Sequence, residues 1–184
     1  MSLTVKDRGC AVATHRYILV KLMETLAAWV PTTPEMEVKL LFGSHVWDVA
    51  QHADALGKRT HELRLPLQHS LAPTAEYREL LEEVAAITDT RKRIASMYDV
   101  VLPALDSRYR EYLAETDQLM DAPTVRIFER ILLDDARMVR ESRELRGSLP
   151  ELSEDDASWS ALLGKREAAV RPLVVAPAPA KQAS

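Results

Sequence analysis

Four segments of this chain carry large apolar residues at alternating intervals of three and four, the spacing that lines them along one face of an α-helix. The first covers 11–30 through Val12, Ile18, Leu19, Leu22, Leu26 and Trp29, and Pro31 stops it. The second runs through Val38, Leu41, Phe42, His45, Val49, His52, Leu56 and Leu63 and ends before Pro66, with Thr33 as its cap and Pro34 at its first position. The third opens on a cap at Thr88 or Asp89 and passes through Ile94, Tyr98, Val101, Leu105, Tyr109 and Tyr112. Its pattern stays in phase across Pro103, which predicts a kink there and not an end. The fourth follows the turn Asp121-Ala122-Pro123 and carries Val125, Phe128, Ile131, Leu132, Asp135, Met138, Val139 and Leu145 up to Gly147.

Helices with one apolar face must bury it against one another, so this pattern predicts an all-α bundle. Composition agrees: five glycines and 5% aromatics leave little material for sheet, while 47% hydrophobic residues in 184 can bury one core. The domain reading is an N-terminal extension over 1–10, the bundle over 11–147 and a C-terminal extension over 148–171. That extension holds an acidic stretch, Glu151 to Asp156, and a short docking helix around Trp159, Leu162 and Leu163. An Ala/Pro tail over 172–184 has too little large apolar surface to offset the entropy of ordering and is expected to be disordered.

The first two helices are joined by about three residues and the last two by about five, which makes each pair an antiparallel hairpin. Roughly 25 residues separate the second helix from the third and include a short amphipathic helix starting at Thr74, enough to travel the length of the bundle. The fold predicted is therefore a four-helix bundle with one long crossover, its second and third helices parallel.

The net charge of -4 argues against a nucleic-acid surface built on phosphate neutralisation. A single cysteine, Cys10, leaves no intramolecular disulfide and suits a reducing compartment. With no apolar stretch of membrane-spanning length and no apolar leader, the cytoplasm is the expected location and a membrane is not an expected partner. The sequence contains no glycine-rich phosphate loop, nucleophile elbow or HExxH. The basic runs Arg91-Lys92-Arg93 and Arg137 to Arg146 read as solvated helix faces, and Trp29 and Trp47 as packing at the ends of the bundle.

What remains is polar. His15, His45, His52 and Asp135 each occupy a slot in an apolar stripe, and Asp48 flanks the face of His45 and His52. At a rise of about 1.5 Å per residue, mirrored about the two hairpin turns, all of them fall at one height near the middle of the bundle. A buried polar group most simply makes one hydrogen bond across the core. Several at one height are costly unless they pair or bind something, which marks the layer as a candidate site.

The segments His45-Val-Trp-Asp48-Val-Ala-Gln-His52 and Ile131-Leu-Leu-Asp134-Asp135-Ala-Arg-Met138 resemble the metal-binding helices of the ferritin-like superfamily over about residues 11–146. The resemblance implies a ferritin-like four-helix bundle holding iron or manganese through Glu-x-x-His on each of two helices and a Glu on each of the others. Mapped onto this chain, His52 and Asp135 match, Val49 and Met138 stand where Glu and His would be, and the third helix shows no inward acid in its stripe. The six-ligand di-iron site is absent. His15, His45, His52 and Asp135 could instead hold one iron, manganese or zinc ion, with Asp48 as a ligand or as the partner that orients a histidine.

Three functional readings follow. In the first, the layer is a non-haem metal centre acting on a small organic molecule. In the second it is metal-free: His45, Asp48 and His52 form an acid–base set, with Tyr109 or Tyr98 donating to the bound molecule, for isomerisation, cyclisation or hydrolysis. In the third the bundle is catalytically inert and binds a partner or forms a homodimer, for which the mark would be a long exposed apolar stripe, and none is evident in the sequence.

Overall fold

The computed structural model describes residues 3–149, 152 and 157–174. Among these all regular structure is helical, with no strand: α1 (Val5–Trp29), a 3-10 turn (Val30–Thr32), α2 (Met36–Glu62), α3 (Ala75–Ala85), α4 (Thr90–Ile94), a π-helical segment (Ala95–Val101), α5 (Leu102–Glu115), α6 (Ala122–Ser148) and α7 (Ala157–Ala169). No helix among the described residues is long and apolar enough to cross a membrane. The acidic stretch, apart from Leu152, and residues 175–184 of the tail lie outside the described residues.

Several boundaries differ from the sequence reading, each for a local reason. Helix α1 starts at Val5, inside the segment read as an extension, because Thr4 and Asp7 form a reciprocal capping box. Helix α2 starts at Met36, and Pro34 stays outside it. Thr33 does not cap α2: its hydroxyl donates to the Trp29 carbonyl at 2.8 Å and accepts from Arg93 Nη1 at 3.0 Å, tying the α1–α2 turn to α4. Asp89 caps α4 through the Lys92 amide, as its position suggested.

Pro103 produces a change of winding. Proline has no N–H to give and its ring crowds the carbonyl four residues back, so the turns just before it widen to the π form over Ala95–Val101. Together α4, the π segment and α5 make one continuous helical run.

Contacts give the arrangement of the long helices. Thr90 donates to Glu35 at 2.8 Å, Tyr98 meets His45, and Tyr112 and Arg59 share Asp121, so α2 and the α4–α5 run have the same direction. Helix α6 runs against α2, with His45 opposite Glu141, Asp48 opposite Arg137 and His52 opposite Asp134. Helix α1 packs along α2. The core is filled by Ile18, Leu22, Phe42, Leu56, Leu105 and Phe128, among others. Residues 63–89 link α2 to α4 and contain α3.

Helix α7 docks against the π segment and α3. Leu163 is buried and the Trp159 indole donates to Ser96 at 2.8 Å, whereas Leu162 is exposed. The strand of chain after α7 does not leave the surface at 172: Leu173 is buried and its carbonyl accepts from the Thr74 amide at 3.2 Å. Trp47 does not pack at an end of the bundle. It is 68% exposed on α2, on the same face as exposed Met36 and Leu40.

Candidate functional site

Two sets of polar residues lie inside the bundle, and they differ in how well their hydrogen bonds are met. The satisfied set is centred on Asp121 at the α5–α6 turn. Its carboxylate, fully buried, accepts from Tyr112 at 2.7 Å, Thr116 at 2.9 Å, Thr124 at 2.6 Å and Arg59 Nη2 at 2.9 Å. Burial alone would raise its pKa, but these donors outweigh it and hold the group below the ordinary carboxylate value. Neither Arg59 nor Asp121 belonged to the candidate layer. They form a structural lock between α2, α5 and α6, complete in itself.

The α2–α6 seam is a second run of paired groups. Glu141 Oε2 lies 2.9 Å from His45 Nε2, and the Tyr98 hydroxyl lies 2.7 Å from His45 Nδ1. The bond to His45 holds Glu141 below its ordinary pKa, so Glu141 is an ionised acceptor. His45 Nε2 therefore donates, and in the neutral ring Nδ1 accepts from the Tyr98 O–H. Burial lowers the His45 pKa against the pull of Glu141, and burial raises that of Tyr98 well above its ordinary value. Asp48 accepts from Arg137 at 2.8 Å, and Arg137 also reaches Glu141 at 3.2 Å. The same logic makes His52 Nε2 the donor to Asp134, at 3.0 Å, which Arg130 also contacts at 2.8 Å. Burial lowers the His52 pKa as well.

The third set is different. Asp135 is 1% exposed, and neither carboxyl oxygen receives a donor from another residue. Its neighbour across the α5–α6 interface is the carboxyl group of Asp106, and the two can bond only if one keeps its proton. Burial and the Asp106 charge push the Asp135 pKa far above normal, and burial raises that of Asp106 too, so Asp135 is the protonated partner. Tyr109, fully buried, has no partner for its hydroxyl, and burial raises its pKa well above normal. His15 packs its ring 5.0 Å from Tyr109, centroid to centroid, and its Nδ1 is unpaired. Burial and then Arg108 lower the His15 pKa to about 4, so the ring is neutral near pH 7. His52 Nδ1 is likewise buried and unpaired.

The structure thus divides the predicted site. His15, Tyr109 and Asp135 form one neighbourhood, whereas His45 and Asp48 belong to the paired α2–α6 seam and His52 touches the seam with one nitrogen only. Contrary to the sequence reading, the third helix does supply an acid: Asp106, one residue beyond Leu105 in the stripe. The signal in the sequence was its place four residues after Leu102 and three before Tyr109, on the flank that turns towards α6 and not on the bundle axis.

The four residues expected to hold a metal do not gather round one point. His45 uses both ring nitrogens on Tyr98 and Glu141, and among the described residues no three His, Cys, Asp or Glu side chains are grouped to hold an ion. The donor types around Asp135 are chemically suited to iron, manganese or zinc, but the arrangement is not a metal cage.

Beside His15, a cavity of about 700 Å3 opens between α1, α5 and residues 171–174. Leu3, Ala11, Tyr112, Leu173 and Val174 line it, and His15 lies at its buried side. Arg108, also lining it, gives its guanidinium to Glu167 at 2.7 Å, which fastens α7 to α5 along one wall.

Comparison with family models, with curated proteins and with solved structures found no match to the chain.

Proposed function

We propose that this protein is a ferritin-like bundle enzyme in which the metal-free group His15, Asp106, Tyr109 and Asp135 performs acid–base chemistry on a small organic molecule entering from the cavity beside His15. The observation that carries this is the contrast between two equally buried acids. Asp121 receives four side-chain donors and serves the fold; Asp135 receives none and is kept as a neutral acid in a dry core. Leaving such groups unpaired costs about 1–3 kcal/mol each.

In this reading Asp135 donates a proton, with Asp106 as the carboxylate that shares it, and the neutral His15 ring positions the molecule by accepting or donating one hydrogen bond. Such a proton donor serves isomerisation, cyclisation and hydrolysis alike. Support for the ferritin-like topology comes from the shared direction of α2 and the α4–α5 run and from the length of the 63–89 connection that carries α3.

Elemental analysis of protein purified without chelator, before and after loading with iron, manganese and zinc, tests the metal-free form. Trace metal, unchanged in His52→Ala and Asp135→Asn, is the expected result. A stoichiometric ion lost in both variants would replace acid–base chemistry with a metal centre.

A second reading has its own support. Met36, Leu40 and Trp47 expose one apolar face of α2, the stripe not evident in the sequence, which suits a partner-binding or homodimeric bundle. Analytical ultracentrifugation of Trp47→Glu beside the parent chain tests it: a dimer present only in the parent supports that role.

A further inference from the structure

The cavity beside His15 has a polarity that selects among ligands. Its walls are apolar over Leu3, Ala11, Pro172, Leu173 and Val174, and Tyr112 contributes only its ring, since its hydroxyl is bonded to Asp121. Its charged groups are unevenly matched. Arg108 is bound to Glu167, and Arg171 donates to Glu111 at 3.0 Å. That leaves Asp7 and Glu115 as carboxylates on the lining with no cation opposite them in the cavity. Asp7 is engaged by the Thr4 hydroxyl and amide, neutral donors that leave its charge in place, and Glu115 has no ion-pair partner among the described residues. At the deep side His15 is 5% exposed, with an unpaired Nδ1. The cavity therefore offers an apolar body, one neutral hydrogen-bonding group at depth, and net negative charge at the mouth.

We propose that this cavity binds a hydrophobic amine: an apolar body seated against Ala11, Tyr112 and Leu173, with its ammonium at Glu115 and Asp7 and its far end at His15. The proposal rests on the reading of the cavity as the small-molecule site, and names the class of molecule it takes. An anionic ligand of the same shape would meet these carboxylates with no free cation to receive it, and a neutral one would forgo the attraction. Cavities of this size hold drug-sized ligands, and one sign of charge at an apolar mouth raises the local concentration of the opposite one.

The test is calorimetric titration of the full chain at pH 7 with 4-phenylbutylamine, 4-phenylbutan-1-ol and 4-phenylbutanoate, with the His15 ring signals followed by NMR. The expected result is about tenfold tighter binding of the amine than of the alcohol, and weaker binding still of the carboxylate. The His15 signals shift on binding, and the amine preference shrinks several-fold in Glu115→Gln and in 1 M salt. Glu115 is exposed, so this substitution leaves the core intact. Binding of the carboxylate as tight as the amine, or an amine preference that Glu115→Gln leaves unchanged, overturns the amine proposal. If the alcohol and carboxylate still bind and move His15, the small-molecule site stands and only its selectivity falls. If none of the three binds, both the selectivity and the site fall together.

Discussion

Asp106 and Asp135 face each other across the α5–α6 interface with their carboxyl groups in contact, and no other side chain donates to Asp135. Two carboxylates so placed repel, so the pair holds a proton that an isolated aspartate would have released near pH 4. The pair therefore holds its proton to higher pH than an isolated aspartate would.

The same proton sets how stability varies with pH. Above the ordinary pKa of 3.8 the unfolded chain has lost it while the folded chain keeps it, so this site removes stability as pH rises from 3.8 towards its folded value. Asp135→Asn cannot ionise and can still donate to Asp106. Thermal unfolding at pH 7 should show the variant more stable by about 1–3 kcal/mol, with the gain fading as pH approaches 4. An unchanged or lowered Tm at pH 7 would mean that Asp135 is ionised and paired.

The opposite sign is expected at Asp121. Its pKa is lowered, so its stability is present above the ordinary carboxylate pKa and is lost as pH falls through the folded value. Asp121→Asn at neutral pH takes from Arg59 one of its two carboxylate partners, leaving Glu62 at 2.7 Å, and should cost about 1–3 kcal/mol in denaturant unfolding. Equal responses of the two variants would contradict the contrast between an acid whose hydrogen bonds are met and one whose are not.

His15 makes acid destabilising. Its folded pKa of about 4 lies below the ordinary 6.5, so the stability tied to the neutral ring is present above pH 6.5 and is lost as pH falls towards 4, about 3 kcal/mol at most. His45 and His52, whose pKa values are also lowered, act in the same direction. A plot of unfolding free energy against pH should therefore be shallower for His15→Gln than for the parent between pH 6.5 and 4. Parallel plots would show that His15 is already protonated or solvated.

The α2–α6 seam should prove modest in strength. Arg137 is about a third exposed, and its 2.8 Å bond to Asp48 is shared with contacts to Glu141. A double-mutant cycle of Asp48→Asn and Arg137→Gln is expected to give a coupling of about 0.5–1 kcal/mol, falling in 1 M salt. A coupling above about 3 kcal/mol would place the pair in a much drier setting than the structure shows.

Gly57 marks a tight contact between α2 and the chain that leaves it. A methyl group there would collide with the Gln68 side chain, which accepts from Arg16 at 3.0 Å and donates to Asp54 at 2.9 Å. Gly57→Ala gains helix propensity but displaces both bonds, for a net loss of about 1–2 kcal/mol by urea unfolding. A stabilised variant would show that Gln68 moves aside freely.

The sequence by itself determined the helices. The three-four spacing, the cap at Asp89, the helix start at Thr74 and the stops near Pro31 and Pro66 are local properties of the chain, and the structure keeps them to within a few residues. It also singled out His15, His45, His52 and Asp135 as polar residues on buried faces, because an apolar stripe makes any interruption visible. Only the tertiary structure decided what each meets. His45 is buried but fully bonded, because Tyr98 reaches one ring nitrogen and Glu141 on α6 the other, and a meeting of separate helices leaves no mark in residue spacing. Asp106 sat beside the stripe, and a helix in a bundle buries its flanks against two neighbours as well as its central line. The demand that every buried donor and acceptor be paired is a sum over helices far apart in sequence, so which acid is satisfied and which is held back, Asp121 or Asp135, exists only once they pack.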